Sequence, residues 1–231
     1  MSLALRLAGM TQIAPTLDLK AVTKRYGKKL VLDGVTVAFA PGLTLLTGPS
    51  GAGKSTLLRL CATAEKPNAG EIAWGGQRLP GARGKLRRVL GYSPQAVDLP
   101  DELTAREFAL HMAALKGLRA GDADRQFLAI AEAVGLHADV NNRISGFSGG
   151  MRRRLVFAQA LLGAPQLICL DEPTAELDVE SRQRVGALIA KAAESAVVLM
   201  TTHLDDAVTA GARAVLRVDA GKVVPVQAPG Q

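Results

Sequence analysis

The chain has 231 residues, 48% of them hydrophobic, which is enough to bury one substantial core and makes a single domain with a subdomain the default organisation. No apolar run reaches the length of about eighteen residues that a membrane helix needs, and Met1–Gly9 is too short and weakly apolar for a signal peptide, so a soluble, cytoplasmic chain is expected. A net charge of +7 suits nucleotide, nucleic acid or an anionic membrane surface, but with only 3% aromatic residues the stacking platforms that single-stranded nucleic acid requires are poorly supplied.

In chain order, Leu17–Val22 and Val31–Ala40 alternate partly between apolar and polar residues, the pattern of two half-exposed strands in an antiparallel edge region. Leu43–Leu46 is instead a short continuous apolar run, as are Leu167–Leu170 and Val197–Met200. Such runs mark parallel strands buried on both faces. Helical patterns follow at Leu57–Leu60 and recur across Leu103–Leu118, Arg125–Val134, Met151–Leu162 and Glu180–Ala193. Strand and helix thus alternate around an inserted all-helical block, an α/β class. Val215–Arg217 and Lys222–Val226, joined by Asp219-Ala220-Gly221, read as a terminal hairpin, with Ala228–Gln231 a loose end. Cys61 and Cys169 stand in apolar surroundings without metal-ligand spacing, and buried thiols in a reducing compartment are expected.

Between the first apolar run and the first helical pattern stands Gly48-Pro49-Ser50-Gly51-Ala52-Gly53-Lys54-Ser55-Thr56, a G-x-x-x-x-G-K-[ST] phosphate-binding loop. A backbone that curls around the β- and γ-phosphates with its N–H groups inward has no room for a Cβ at the tight turns. Lys54 supplies a mobile positive charge and Ser55 a hydroxyl where a Mg²⁺ ion bridging those phosphates would sit, while the opening helix aims its positive dipole end at the anion. The strand before and the helix after set this apart from a chance glycine-rich turn. Nucleoside triphosphate binding is predicted, although the loop alone does not choose among kinases, GTPases and ATPases. Asp171 ends an apolar run, so its carboxylate emerges at the carboxyl edge of the sheet beside the loop, where it could bind Mg²⁺ directly or through water.

The choice comes from an ordered set: Gly146-Phe147-Ser148-Gly149-Gly150-Met151-Arg152-Arg153-Arg154-Leu155, then Leu167-Ile168-Cys169-Leu170-Asp171-Glu172-Pro173-Thr174, then Thr201-Thr202-His203. From Leu17 to about Val226 the chain resembles the ATP-binding cassette (ABC) ATPases. The resemblance implies a P-loop NTPase with a central, mostly parallel sheet, an antiparallel β edge region and an inserted α-helical subdomain. It implies one domain over 17–226, with a RecA-like core at about 17–94 and 165–226, the helical subdomain at about 95–164, and 1–16 as an extension.

It also implies roles. Glu172 matches the carboxylate that orients or deprotonates the attacking water, and Gln95, in Gly91-Tyr92-Ser93-Pro94-Gln95, the glutamine that reaches Mg²⁺ and that water. His203 matches a switch histidine at the γ-phosphate, Asp178 a residue coupling two sites across a dimer, and Tyr26, before Gly27, an aromatic ring stacked on adenine. Ser148-Gly149-Gly150 resembles the signature that faces the γ-phosphate of a partner cassette packed head to tail; taken without that partner it is a serine N-cap with flexible glycines. Phe147 stands where Leu is usual and Met151 where Gln is common, which leaves the Ser-Gly-Gly donors intact.

The family implies ATP and Mg²⁺ as ligands, a second cassette, identical or related, and a membrane-spanning transporter subunit that would place the chain on the cytoplasmic face of the membrane. Leu99–Glu107 resembles the segment that receives that subunit, and Arg152-Arg153-Arg154 resembles drug and antibiotic exporter cassettes. A second reading is a soluble cassette acting on nucleic acid or ribosomes, although the paired cassettes or long coiled-coil insertions usual there are not found. A third, a cassette that binds ATP without turnover, is opposed by Lys54, Gln95, Asp171, Glu172 and His203 together.

Overall fold

Residues 15–202 and 211–226 are described by the computed structural model, so the expectations placed on Met1–Gly9, His203 and Ala228–Gln231 fall outside the described residues. Ten strands and six helices follow one another as β1 (Leu17–Tyr26), β2 (Lys29–Phe39), β3 (Gly42–Thr47), α1 (Lys54–Cys61), β4 (Ala69–Trp74), β5 (Gln77–Arg78), α2 (Arg83–Arg88), β6 (Leu90–Ser93), α3 (Ala105–Leu115), α4 (Ala120–Ala133), α5 (Gly149–Ala160), β7 (Leu167–Asp171), α6 (Val179–Ala193), β8 (Val197–Thr201), β9 (Ala214–Asp219) and β10 (Lys222–Pro225) among the described residues.

Two sheets organise them. One is six-stranded in the order β10-β9-β3-β8-β7-β6, parallel from β9 to β6 and closed at its edge by the antiparallel β9–β10 hairpin. The antiparallel region is a sheet of its own, ordered β2-β1-β4-β5. Its β1 keeps Leu17, Leu19 and Val22 buried across a register shift between Leu19 and Val22, where Ala21 takes φ +50°. Such an extra residue is how a strand re-aims its next inward side chain.

The continuous apolar runs are explained by burial of both faces of the parallel sheet. Leu46, Leu167, Cys169, Val197 and Leu199 face one core, shared with β1, β2 and α1, while Leu43, Leu45, Ile168, Leu170, Val198 and Met200 face a second, shared with α3–α6. Each fully buried aliphatic or aromatic side chain in these cores contributes about 1.5–3 kcal/mol from apolar burial. Cys61 and Cys169 are buried thiols as expected. In the helical block, α3 opens on a capping box in which the Thr104 hydroxyl accepts from the Glu107 amide and the Glu107 carboxylate accepts from the Thr104 amide. Helix α4 begins at Ala120, earlier than the Arg125–Val134 pattern, because its first turn carries polar residues and only Ala123 faces inward there.

Four described elements have no counterpart among the strands and helices expected from the sequence: β4, the two-residue β5, α2 and β6. β4 buries only Ile72 and Trp74, and α2 is a six-residue basic segment too short to show a period. β6 carries Gly91 in its middle, where a Cβ would lie 2.1 Å from the Ala160 carbonyl oxygen. The close approach of α5 to this strand demands glycine there, and the glycine hides the strand from a hydrophobicity reading.

Candidate active site

The phosphate loop runs from the carboxyl end of β3 to the start of α1. Gly48 has φ +131° and backs onto β9, so that a Cβ would sit 2.1 Å from the Val218 carbonyl oxygen. Gly53 caps α1 in a left-handed conformation, φ +108°, leaving the first helical amides without a side-chain acceptor. Those amides, with the helix dipole behind them, form an anion-binding N-terminus. Lys54 is buried, and its ammonium donates to the carbonyl oxygens of Gly48 at 2.8 Å and Pro49 at 3.0 Å. A positive charge is thereby held against the loop it is expected to serve.

β8 lies between β3 and β7, and in register Thr201 stands beside both Leu46 and Asp171, so the three strands deliver their ends to one edge. Asp171 is buried, and its Oδ1 accepts from the Ser55 hydroxyl at 3.1 Å and the Thr201 hydroxyl at 2.7 Å. A hydroxyl and a carboxylate side by side are the hard oxygen donors that Mg²⁺ takes, together with phosphate oxygens and water, so these residues fit that ion. The charge of Asp171 also reaches Tyr92: burial first, and then this carboxylate, push the Tyr92 hydroxyl up to about 12.

Glu172 turns the chain at φ +51°, a costly conformation for a non-glycine residue. Three elements hold it. Its amide donates to Thr201 Oγ1 at 2.8 Å, its carbonyl oxygen accepts from Arg153 Nη1 at 3.4 Å, and its carboxylate accepts from Gln95 Nε2 at 3.1 Å. The fold therefore brings together Ser55, Lys54, Asp171, Glu172 and Gln95, with the bonded Ser55 and Asp171 standing 116 positions apart in sequence.

Other expected residues lie elsewhere. Ser148 caps α5, its hydroxyl accepting from the Met151 amide at 3.3 Å, while Gly149 is exposed. Asp178 caps α6, accepting from the Ser181 amide at 2.8 Å and hydroxyl at 2.7 Å, and these bonds hold its carboxyl below the usual range. Both thus take the helix-capping role that their residue types allow. Tyr26 ends β1 beside the hairpin turn, its hydroxyl donating to Glu65 at 2.6 Å. Two supporting residues carry no assigned role in the sequence reading. Thr201 signals itself only as the first residue of the Thr201-Thr202-His203 stretch that closes an apolar run, and Arg153 as the middle of the triple arginine; Arg153 also pairs with Glu176 at 3.3 Å.

Comparison with known proteins places this geometry in a class. Residues 32–175 match the family described as ABC transporter, and the chain belongs to that family. Among curated relatives it is 36% identical over 196 residues to the Nod factor export ATP-binding protein I of Burkholderia thailandensis, covering 83% of this chain and 63% of that one. It is 38% identical over 194 residues to the protein of the same name in Rhizobium meliloti, covering 81% and 57%. The chain spans less than two thirds of the length of these relatives. Its fold matches the dimeric structure of a bacterial ABC transporter cassette, with a TM-score of 0.81 at 27% identity over 90% of this chain and 96% of that one. The post-hydrolysis dimer of that cassette, bound to ADP and Pi, matches at 0.78 and 26%, with coverage of 90% and 96%.

Proposed function

We propose that this chain binds and hydrolyses ATP as the nucleotide-binding subunit of an ABC transporter, powering a separate membrane-spanning subunit in the export direction. The observation that carries this reading is the convergence of Ser55, Asp171, Glu172 and Gln95 at the strand edge beside the phosphate loop. The names of the relatives, which are export ATP-binding proteins, support the direction. The dimeric cassette of like fold supports assembly as a pair, with Ser148, Gly149, Gly150 and Asp178 presented to the second cassette. The same reading takes 17–94 and 165–226 as the nucleotide-binding core and 95–164 as a helical subdomain. It also places the chain at the cytoplasmic face of a membrane, held there by the partner; no described helix is long and apolar enough to cross one.

In this reading the backbone amides of Gly51–Thr56 and the Lys54 ammonium bind the phosphates, and Tyr26 receives the adenine. Ser55, Asp171 and Gln95 would hold Mg²⁺, which when bound neutralises phosphate charge and orients the γ-phosphate. Glu172 accepts a proton from the attacking water or fixes its direction, and Gln95 and Thr201 keep that residue aimed.

The test is Glu172→Gln. ATP binding should persist and turnover should fall about a hundredfold or more, with ATP trapping a dimer visible by light scattering. Turnover equal to wild type would remove Glu172 from the chemistry and the proposal with it.

A further inference from the structure

Glu65, in the turn between α1 and β4, lies outside every motif, yet its carboxylate meets three side chains at once. Oε2 accepts from the Tyr26 hydroxyl at 2.6 Å and pairs with the Lys24 ammonium at 2.8 Å, while Oε1 pairs with Arg59 Nε at 2.6 Å. Arg59 in turn donates through Nη2 to the Tyr26 hydroxyl at 3.3 Å and to Thr56 Oγ1 at 3.1 Å. A continuous path thus runs from the tyrosine to the last residue of the phosphate loop. The backbone is tied as well, since the Glu65 amide donates to the Arg59 carbonyl at 3.2 Å. The Lys24 ammonium stands 5.0 Å from the centre of the Tyr26 ring, on one face of it. Partial burial pushes the Glu65 carboxyl up, and the hydrogen bonds from Lys24, Tyr26 and Arg59 outweigh it, so the group lies below the usual carboxylate range.

An exposed ring on a strand end would ordinarily sample several rotamers, and a stacked base would have to immobilise it at the expense of affinity. Here the ring tip is clamped and one face is occupied. We propose that Glu65 is a positioning residue for the nucleotide base: with Arg59 and Lys24 it fixes Tyr26 as a one-sided platform, in constant relation to the phosphate loop, that takes a purine on the face away from Lys24. This rests on the reading of Tyr26 as the adenine platform. Glu65 touches neither phosphate nor metal in this scheme and acts only through the ring.

The experiment compares the equilibrium affinity of the whole chain for Mg-ATP and for Mg-tripolyphosphate, which lacks the base, in four variants. Tyr26→Ala should weaken ATP about tenfold, the worth of one base stack. Glu65→Ala and Tyr26→Phe, which release the ring without removing it, should each weaken ATP about threefold. Tyr26→Ala combined with Glu65→Ala should bind ATP no more weakly than Tyr26→Ala alone, and tripolyphosphate affinity should be the same throughout. If Tyr26→Ala leaves ATP affinity unchanged, the platform reading itself fails. If Tyr26→Ala weakens ATP but Glu65→Ala and Tyr26→Phe do not, the platform stands and the positioning role is overturned. An equal loss of tripolyphosphate affinity in Glu65→Ala would make the residue a brace for α1 and would also overturn it.

Discussion

Two glycine-rich loops open two helices in this molecule, and they are built on opposite principles. The loop before α1 is walled in: Gly48 backs onto the Val218 carbonyl, Lys54 is buried, and Ser55 reaches Asp171 from across the sheet. The loop before α5 is open, with Gly149 exposed and the Ser148 oxygen accepting from the Met151 amide of its own helix. In the first, tertiary structure over-determines the backbone. In the second, Phe147 is anchored in the core and Ser145 bonds back to Asp101, but Ser148 and Gly149 themselves are held by local capping and stay exposed. A binding cradle needs preorganisation within the chain, whereas a contact made between chains needs exposure.

Alanine at one glycine of each loop is the sharpest way to break this contrast. Gly48→Ala should cost about 3 kcal/mol or more of stability, measured by denaturant unfolding, because φ +131° and a 2.1 Å clash with backbone cannot both be relieved. Gly149→Ala should gain up to about 1 kcal/mol, since a Cβ there meets nothing within 4 Å and alanine favours the helix. Its ATP turnover should nonetheless fall if a partner's phosphate approaches that amide. A stabilised variant with full turnover would mean that the loop before α5 contacts no ligand.

Ser148→Ala should cost about 1 kcal/mol through its lost cap. Mixed with Lys54→Ala, it should recover part of the turnover that each lacks alone, because one of the two interfacial sites is then intact. No recovery would argue against head-to-tail pairing. The smallest effect lies far from either loop. Lys116 is half-buried, and burial lowers its ammonium to about 8 while it donates to the Leu162 carbonyl. A folded-state value below the unfolded one of 10.5 means that the unfolded chain binds more protons between those values, so stability rises as pH rises from about 8 to about 10.5. Lys116→Met should flatten that rise by on the order of 1 kcal/mol relative to wild type, read from unfolding curves across the window.

The same contrast explains what the sequence made legible. Leu43–Leu46, Leu167–Leu170 and Val197–Met200 announced themselves because burial on both faces writes an unbroken apolar run, and the loop between β3 and α1 is recognisable because phosphate geometry dictates its glycines. Strand β6 was not legible, since the packing that makes Gly91 necessary is a property of α5, remote in sequence. Nor was the support of Glu172 at the carboxyl edge of the sheet. Thr201 and Arg153 act through hydrogen bonds to the backbone and side chains around Glu172, and neither hydroxyl nor guanidinium announces in one dimension which peptide it will meet. Separation of the two sheets was hidden for a similar reason, because β4 and β5, which extend the antiparallel sheet, carry too little inward-facing apolar surface to register.

The two thiols have a practical corollary. Cys61 is pushed up to about 12 and Cys169 well above its usual value, both by burial, so neither presents a thiolate near neutral pH. Alkylating and maleimide reagents should therefore pass over the native chain, and a cysteine introduced at the exposed Val97 or Leu115 becomes its single reactive handle without prior removal of the natural pair. A fluorophore or spin label there could report on docking of the helical block in an otherwise unaltered protein.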